Sequence, residues 1–155
     1  MLLCGVGEQG RLLHDGRADV ALLHRPFDVT AGLDTEELVT EGQVAVLPAG
    51  HPLTGRAHVT TVEITTLPGL PIWPSPERAS PDGSGPQVLQ HTQSLQLIAL
   101  GRAAAILPDS CRSQLRDGLV AVPVLDAPAV TTVIAWPPHS RSRGVAGLVR
   151  TATRP

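Results

Sequence analysis

The stretch that decides the fold is residues 12–26, which read LLHDGRADVALLHRP. Its first half belongs to a short predicted helix over residues 8–16, which Gly16 ends. Its second half is an apolar run, residues 19–24, that Arg25-Pro26 closes. A continuous apolar run of this length is typical of a buried strand in a parallel or mixed sheet. A helix that leads directly into a buried strand indicates an α/β fold.

The same alternation of strands and helices continues along the rest of the chain. Strands are predicted where short apolar or alternating runs occur, at residues 35–41, 43–48, 69–73, 103–107, 119–124 and 130–136. Helices or helical turns are predicted at residues 60–66, 87–100, 108–115 and 141–153. A proline-rich stretch, residues 74–86, is predicted to be a loop. No internal repeat accompanies this order of elements.

The predicted helix over residues 87–100 has apolar side chains on more than one side. Leu95 and Ile98 fall on one face, whereas Leu97 and Leu100 fall on another. A helix that is apolar on several faces is usually buried between layers. We therefore expect both faces of this helix to be covered.

The last predicted helix, residues 141–153, is amphipathic. Its apolar stripe is formed by four residues at helical spacing, Val145, Leu148, Val149 and Ala152. Three arginines are predicted to lie on the opposite, solvated face, namely Arg143, Arg150 and Arg154. The alternative is that this basic segment binds phosphate or a partner.

Composition places the chain among globular proteins and narrows the classes of function. The 155 residues are 42% hydrophobic, enough for a core, and only 2% aromatic, so valine, leucine, isoleucine and alanine must fill that core. A net charge of −2 argues against a dedicated nucleic-acid binder. Two cysteines make no disulfide framework, and neither a signal peptide nor a membrane span is visible. The sequence thus predicts a cytoplasmic protein with reduced thiols.

A glycine motif near the start offers a competing interpretation. Gly5 to Gly10 match G-x-G-x-x-G, and Asp28 follows 18 positions later, as in a dinucleotide-binding fingerprint. However, the preceding strand would have almost no length, and the following helix ends by Gly16, too soon to cross back over a sheet. Asp28 also falls in a loop and not at a strand tip. A turn followed by a glycine-rich helix start is therefore the preferred interpretation.

Four segments, in the same order, resemble the effector-binding domain of LysR-type transcriptional regulators, in an actinobacterial-like branch. The last helix matches as well, so the resemblance covers nearly the whole chain. The four segments are LLHDGRADVALLHRP (12–26), EELVTEGQVAVLPAGHPLTG (36–55), LQLIALGRAAAILPDS (95–110) and GLVAVPVLDAPAVTTVIAW (118–136).

The resemblance implies a fold like that of type 2 periplasmic binding proteins, with two α/β lobes joined by two crossing strands. Residues 1–47 plus 109–155 would form the first lobe, and residues 48–108 the second. A small-molecule effector, expected to be a small acid, would bind in the cleft between the lobes. The family's first strand and helix match nothing here, and neither does the helix-turn-helix domain through which the family contacts DNA. A homodimer is expected, or abnormal association through an exposed sheet edge.

The resemblance also places three loops of this sequence at the ligand. The first is His24-Arg25-Pro26, where Arg25 could hold a carboxylate by two parallel hydrogen bonds or be an ordinary surface arginine. The second contains Trp73 and Ser75, where the indole could stack on a ligand or cap a small core. The third is Thr92-Gln93-Ser94, which could bind an anion at a helix start or lie within a continuous helix. We predict no catalytic residue, metal site or cofactor.

Two other functions are weighed against effector sensing. One is a free-standing metabolite-binding protein of the same fold, which the lack of a visible signal peptide disfavours. The other is a dinucleotide-dependent enzyme that uses Gly5 to Gly10, which the lack of a plausible acid–base set disfavours.

Overall fold

A computed structural model describes residues 7–73 and 91–153, with the side chains of 73 and 91–93 excluded. The chain forms four α-helices and seven β-strands in these ranges, together with 3₁₀ helices at Pro52–Gly55 and Asp109–Gln114. The order is α1 (Gln9–His14), β1 (Ala21–Arg25), β2 (Asp34–Glu41), β3 (Gln43–Pro48), α2 (Thr61–Thr65), β4 (Ile72–Trp73), α3 (His91–Ala99), β5 (Ala104–Pro108), β6 (Leu119–Val124), β7 (Val130–Trp136) and α4 (Arg143–Ala152). The predicted α/β class is confirmed. The predicted loop at 74–86 lies outside the described residues.

The chain divides into two compact units, Met1–Thr40 with Val130–Pro155, and Glu41–Ala129. This division differs from the predicted lobes, which placed β3 and β6 with the first. The difference has a physical cause, because β3 hydrogen-bonds to both β5 and β6 and so ties all three strands into one sheet.

The first unit is built on a three-stranded sheet in the order β1-β7-β2. β1 runs antiparallel to β7, with Leu23 opposite Val133 and Arg25 opposite Thr131. The sequence pattern allowed a parallel or a mixed sheet, and the described neighbour of β1 is antiparallel. Leu13 of α1 packs with Leu23, Val133 and Ala135 into a small core on one face of this sheet. Gly16 ends α1 with a positive φ of 65°, a conformation that glycine adopts without strain.

The second unit is built on a four-stranded sheet in the order β4-β5-β3-β6. β3 is antiparallel to both neighbours, and five of its six residues are buried. Because successive side chains of a strand point to opposite faces, Val44 and Val46 join one core cluster and Ala45 and Leu47 the other. The second unit therefore has apolar cores on both faces of its sheet.

α3 covers one of these faces with one side only. Leu95 and Ile98 are buried in the first cluster, and Leu97 packs against it. Leu100, which was predicted to be covered on a second face, is 72% exposed. The expectation that α3 is buried between layers is wrong for this residue, because the described part of the second unit places a sheet on one side of the helix only.

Candidate functional site

Arg25 lies at the end of β1, and two residues of β2 hold its guanidinium. One terminal nitrogen donates a hydrogen bond to Thr35 Oγ1 at 2.6 Å, and the other donates to Glu37 Oε1 at 3.3 Å. Since β7 lies between β1 and β2, the arginine side chain must reach across Thr131, its partner in the register. The side chain of Arg25 is 37% exposed and that of Glu37 is 67% exposed. The guanidinium is thus oriented by the protein and still accessible from solvent.

His24 points away from Arg25, because consecutive strand residues face opposite sides of a sheet. Its backbone N–H donates to Asp28 Oδ2 at 2.7 Å, and the Asp28 N–H donates back to the His24 carbonyl at 2.8 Å. The imidazole Nδ1 lies 3.7 Å from the same carboxylate oxygen. The nearby His24 side chain lowers the pKa of Asp28 below its ordinary value; burial opposes this effect, and the hydrogen bond from the His24 backbone adds to it. Asp28 therefore closes the turn that follows β1.

Pro26 follows Arg25 through a cis peptide bond, and the next residue, Phe27, is exposed. Phe27 is the one phenylalanine of the chain. Phe27 thus presents an exposed apolar ring in the turn that follows β1. Sequence reasoning did not identify Phe27, Asp28, Thr35 or Glu37 as neighbours of this site. The spacing of Thr35 and Glu37, two residues apart in a strand, was the available signal.

The predicted site residues of the second unit lie on β4 and α3. Trp73 is in β4, where it pairs with Ala105 of β5, and Ser75 lies outside the described residues. Thr92 and Gln93 are in the first turn of α3 as described, and Ser94, in the same turn, is 2% exposed. The two interpretations of this segment, a helix start or a continuous helix, remain open because residues 74–90 are not described.

The glycine motif does not gain support from the described part of the chain. Gly7 has a positive φ of 82°, and Gly10 is already inside α1, a helix of only six residues. Asp28 lies in the turn after β1, where its carboxylate is engaged by His24. Among the described residues, no group of three or more histidine, cysteine or acidic side chains could hold a metal ion. No helix in the same ranges is long and apolar enough to cross a membrane.

Comparisons with solved structures identify the fold. The effector binding domain of a BenM variant superposes with a TM-score of 0.71 at 21% identity, over 96% of this chain and 76% of that one. The reduced OxyR regulatory domain from Pseudomonas aeruginosa superposes with a TM-score of 0.69 at 19% identity, over 92% of this chain and 75% of that one. The C-terminal domain of a probable LysR family transcriptional regulator from Rhodococcus sp. RHA1 superposes with a TM-score of 0.67 at 22% identity, over 94% of this chain and 78% of that one. The chain therefore has the fold of this class of ligand-sensing domain, which is type 2 periplasmic-binding-protein-like.

The family follows from the sequence model for the LysR substrate binding domain, which matches residues 4–154. The chain belongs to this family and is an effector-binding domain of the LysR type. No sequence among the curated proteins matches it significantly. The resemblance that the four segments carry is thereby confirmed, and the two alternative functions are not favoured.

Proposed function

We propose that this domain senses a small carboxylate effector and that Arg25 is the residue that holds the effector's carboxylate. The observation that carries the proposal is the state of Arg25, which is oriented by Thr35, partly exposed, and paired only loosely with the exposed Glu37. A guanidinium has five N–H donors, and the contacts with Thr35 and Glu37 use two. The remaining donors suit the parallel pair of hydrogen bonds that a carboxylate accepts from arginine.

The free-energy cost of replacing the Glu37 carboxylate at Arg25 with the carboxylate of a ligand is expected to be small. An ion pair at the surface contributes little free energy, typically less than about 1 kcal/mol, so Glu37 can be displaced at small cost. Thr35 is neutral and would keep its hydrogen bond to Arg25 during the exchange. The ligand would then gain a cation that is already oriented, and little side-chain entropy would be lost on binding.

The other predicted ligand contacts are part of the same proposal. Proximity in sequence to Arg25 supports a role for Pro26, and the exposed ring of Phe27 follows in the same turn. His24 faces the opposite side of the sheet and would contact the effector only through its backbone or the turn. On the second unit, the family resemblance supports five contacts: Trp73, Ser75, Thr92, Gln93 and Ser94. The correspondence of the two units with the family's two lobes belongs to this proposal too.

The family supports a proposal for the biological role. We propose that the effector is bound without being chemically changed, and that the domain acts in the cytoplasm as part of a homodimer. DNA would be contacted by a helix-turn-helix domain and not by the residues described here. Effector binding could shift a regulatory equilibrium only by as much as the effector's affinities for the two states differ.

The proposal is tested by titrating the purified chain with a panel of small carboxylates, using thermal shift to find a ligand and calorimetry to measure its affinity. Arg25→Gln should weaken binding of the identified acid about tenfold, which corresponds to a lost charged hydrogen bond. Arg17→Gln is the matched control, since it removes the same charge from an exposed position of the same unit. Equal affinities for Arg25→Gln and the unchanged chain would contradict the assignment, as would failure of every carboxylate to bind.

A further inference from the structure

A small surface pocket of about 110 Å³ lies in the second unit, between α3 and the turn that leads into β6. Its lining comes half from the helix and half from the turn with the first residue of β6: Leu95, Gln96, Ala99, Arg116, Asp117 and Leu119. Because Leu95 and Ala99 are four residues apart, they lie on one face of the helix. The whole lining belongs to Glu41–Ala129, so the pocket is formed within a single unit.

The inner side of the pocket is apolar. Leu95 is buried in the core cluster that α3 covers, and the half-buried Leu119 packs against the same cluster. Ala99, the last residue of α3, is exposed, and its methyl group is too short to fill the space beside the two leucines. The pocket therefore offers apolar contact to a group of a few carbon atoms.

The outer side of the pocket carries one positive and one negative side chain. Arg116 and Asp117 are adjacent in a turn, which the Leu119 N–H closes by donating a hydrogen bond to the Arg116 carbonyl at 3.2 Å. Gly118, the third residue of that turn, has a positive φ of 91°, which glycine adopts without strain. Both charged side chains are exposed, and among the described residues neither finds an ion-pair or side-chain hydrogen-bond partner. A cation and an anion thus stand side by side on a closed turn, and both are available to a ligand.

We propose that this pocket binds a small α-amino acid as its zwitterion, at a site separate from the proposed effector site at Arg25. The ligand's carboxylate would accept hydrogen bonds from the Arg116 guanidinium, and its ammonium group would donate to the Asp117 carboxylate. Its side chain would lie against Leu95 and Leu119, where apolar surface is removed from water. The pocket is far smaller than the sites of drug-sized ligands, so it suits a side chain of about one to three carbon atoms.

The two neighbouring charges select the class of ligand. A simple carboxylate that paired with Arg116 would be repelled by Asp117, and a simple amine that paired with Asp117 would be repelled by Arg116. A zwitterion satisfies both side chains at once, because its opposite charges are also separated by a short distance. Repulsion of the singly charged analogues therefore contributes to the specificity together with the attraction of the amino acid.

The test uses the unchanged chain, isotope-labelled for amide correlation spectra, with L-alanine as the probe. Titration should shift the backbone amide signals of Asp117, Gly118 and Leu119 saturably. The dissociation constant should be on the order of 1 mM, because so small a ligand makes few contacts. Propionate, which lacks the ammonium group, and ethylamine, which lacks the carboxylate, should each bind about tenfold more weakly. L-Phenylalanine should also bind more weakly, because its ring exceeds the pocket.

Three substitutions test the pocket, and two others control for them. Arg116→Gln and Asp117→Asn should each weaken L-alanine binding about tenfold. Ala99→Leu should abolish binding by filling the space beside the two leucines, with the far-ultraviolet circular dichroism unchanged. Arg102→Gln is the matched control, since it removes the same charge as Arg116→Gln from another exposed position of the second unit. Arg25→Gln should leave L-alanine binding intact, so that failure of the effector proposal is distinguishable from failure here.

The inference is overturned if L-alanine causes no saturable shift of the turn amides up to its solubility limit, or if Ala99→Leu leaves binding unchanged. It is also overturned if propionate binds as tightly as L-alanine, because Asp117 would then play no part. Equal weakening by Arg116→Gln and Arg102→Gln would overturn it as well, because general charge attraction would then explain the effect.

Discussion

Glu37 contacts the Arg25 guanidinium, at which we propose that the effector's carboxylate binds. Its carboxylate oxygen lies 3.3 Å from one terminal nitrogen, and the side chain is mostly exposed. Thr35 holds the other terminal nitrogen more closely, at 2.6 Å. The hydroxyl therefore orients the arginine, whereas the carboxylate competes with any acidic ligand.

Glu37→Gln should increase the affinity of a small carboxylate effector, because a neutral amide competes less well for Arg25. The expected gain is roughly two- to fivefold, the equivalent of a surface ion pair. Calorimetric titration measures it at low salt, where screening is weak. Glu36→Gln is the matched control, since it removes the same charge from the neighbouring, exposed position of β2. An equal gain in both variants would show that net charge and not the Arg25 contact is responsible.

Asp28 makes the stability of the turn after β1 dependent on pH. Its pKa in the folded chain is held below the ordinary 3.8, chiefly by the nearby His24 side chain, with a further contribution from the hydrogen bond of the His24 backbone N–H. A carboxyl group with a depressed folded pKa contributes stability above its unfolded pKa and loses it as the pH falls through the folded pKa.

Asp28→Asn should therefore lower the urea midpoint at neutral pH and make it less sensitive to acid. The difference from the unchanged chain should shrink as the pH falls below about 5 and through the lowered folded pKa of Asp28. Urea unfolding at a series of pH values measures this difference. Asp19→Asn, which removes the same charge from an exposed position of the same unit, is the control and should show no such convergence. A difference that stays constant with pH would mean that Asp28 stabilises the turn only by its shape.

At the level of the elements, the helices and strands could be predicted from local patterns, but their surroundings could not. The boundaries of β6 and β7 agree with the apolar runs at 119–124 and 130–136, because both strands alternate or run apolar within a few residues. The face that a helix buries depends on what packs against it. The periodicity of α4 placed Val145 on its buried side and Arg150 on its exposed side, as the structure has them, but Leu148, which it assigned to the apolar stripe, is 48% exposed.

Ile98 of α3 and Leu100, which follows the helix, test which side chains of this segment carry the stability. Ile98→Ala should reduce the free energy of unfolding by about 2–5 kcal/mol, since Ile98 is fully buried and its loss leaves a cavity. Leu100→Ala should cost less than about 0.5 kcal/mol, because Leu100 is mostly exposed. Urea unfolding followed by circular dichroism compares the two variants. Similar losses for both would mean that a further surface covers Leu100.

At the level of the whole molecule, contacts between residues that are distant in sequence produce the features that local sequence patterns did not predict. Arg25 of β1 reaches Thr35 and Glu37 of β2 because both strands pair with β7 in one sheet. No local sequence pattern encodes that strand order. The division into units has the same origin, since β3 joins β5 and β6 across many intervening residues. The family resemblance, in contrast, required only the order of four segments, and for that reason it could be identified from the sequence.

Each apolar cluster stays within one unit. The small core around Leu23 and Val133 belongs to the first unit, and the two larger clusters on either side of β3 belong to Glu41–Ala129. The second unit is also continuous in sequence, whereas the first is assembled from the two ends of the chain. A unit with a continuous chain, a complete sheet and its own cores has what independent folding requires.

Residues 41–129 expressed alone should therefore fold and unfold cooperatively in urea, with a single transition by circular dichroism. The hydrogen bonds at the start of this segment stay inside it, since Glu41 accepts from Ser110 and Gln43 donates to the Pro128 carbonyl at 2.8 Å. The same fragment with Val46→Asp is the control, because a charge on a fully buried position of β3 should abolish the transition. A fragment that shows no transition would mean that the cores of the second unit depend on the first. In that case the two units would form one cooperative structure, and an effector bound at Arg25 would stabilise all of it together.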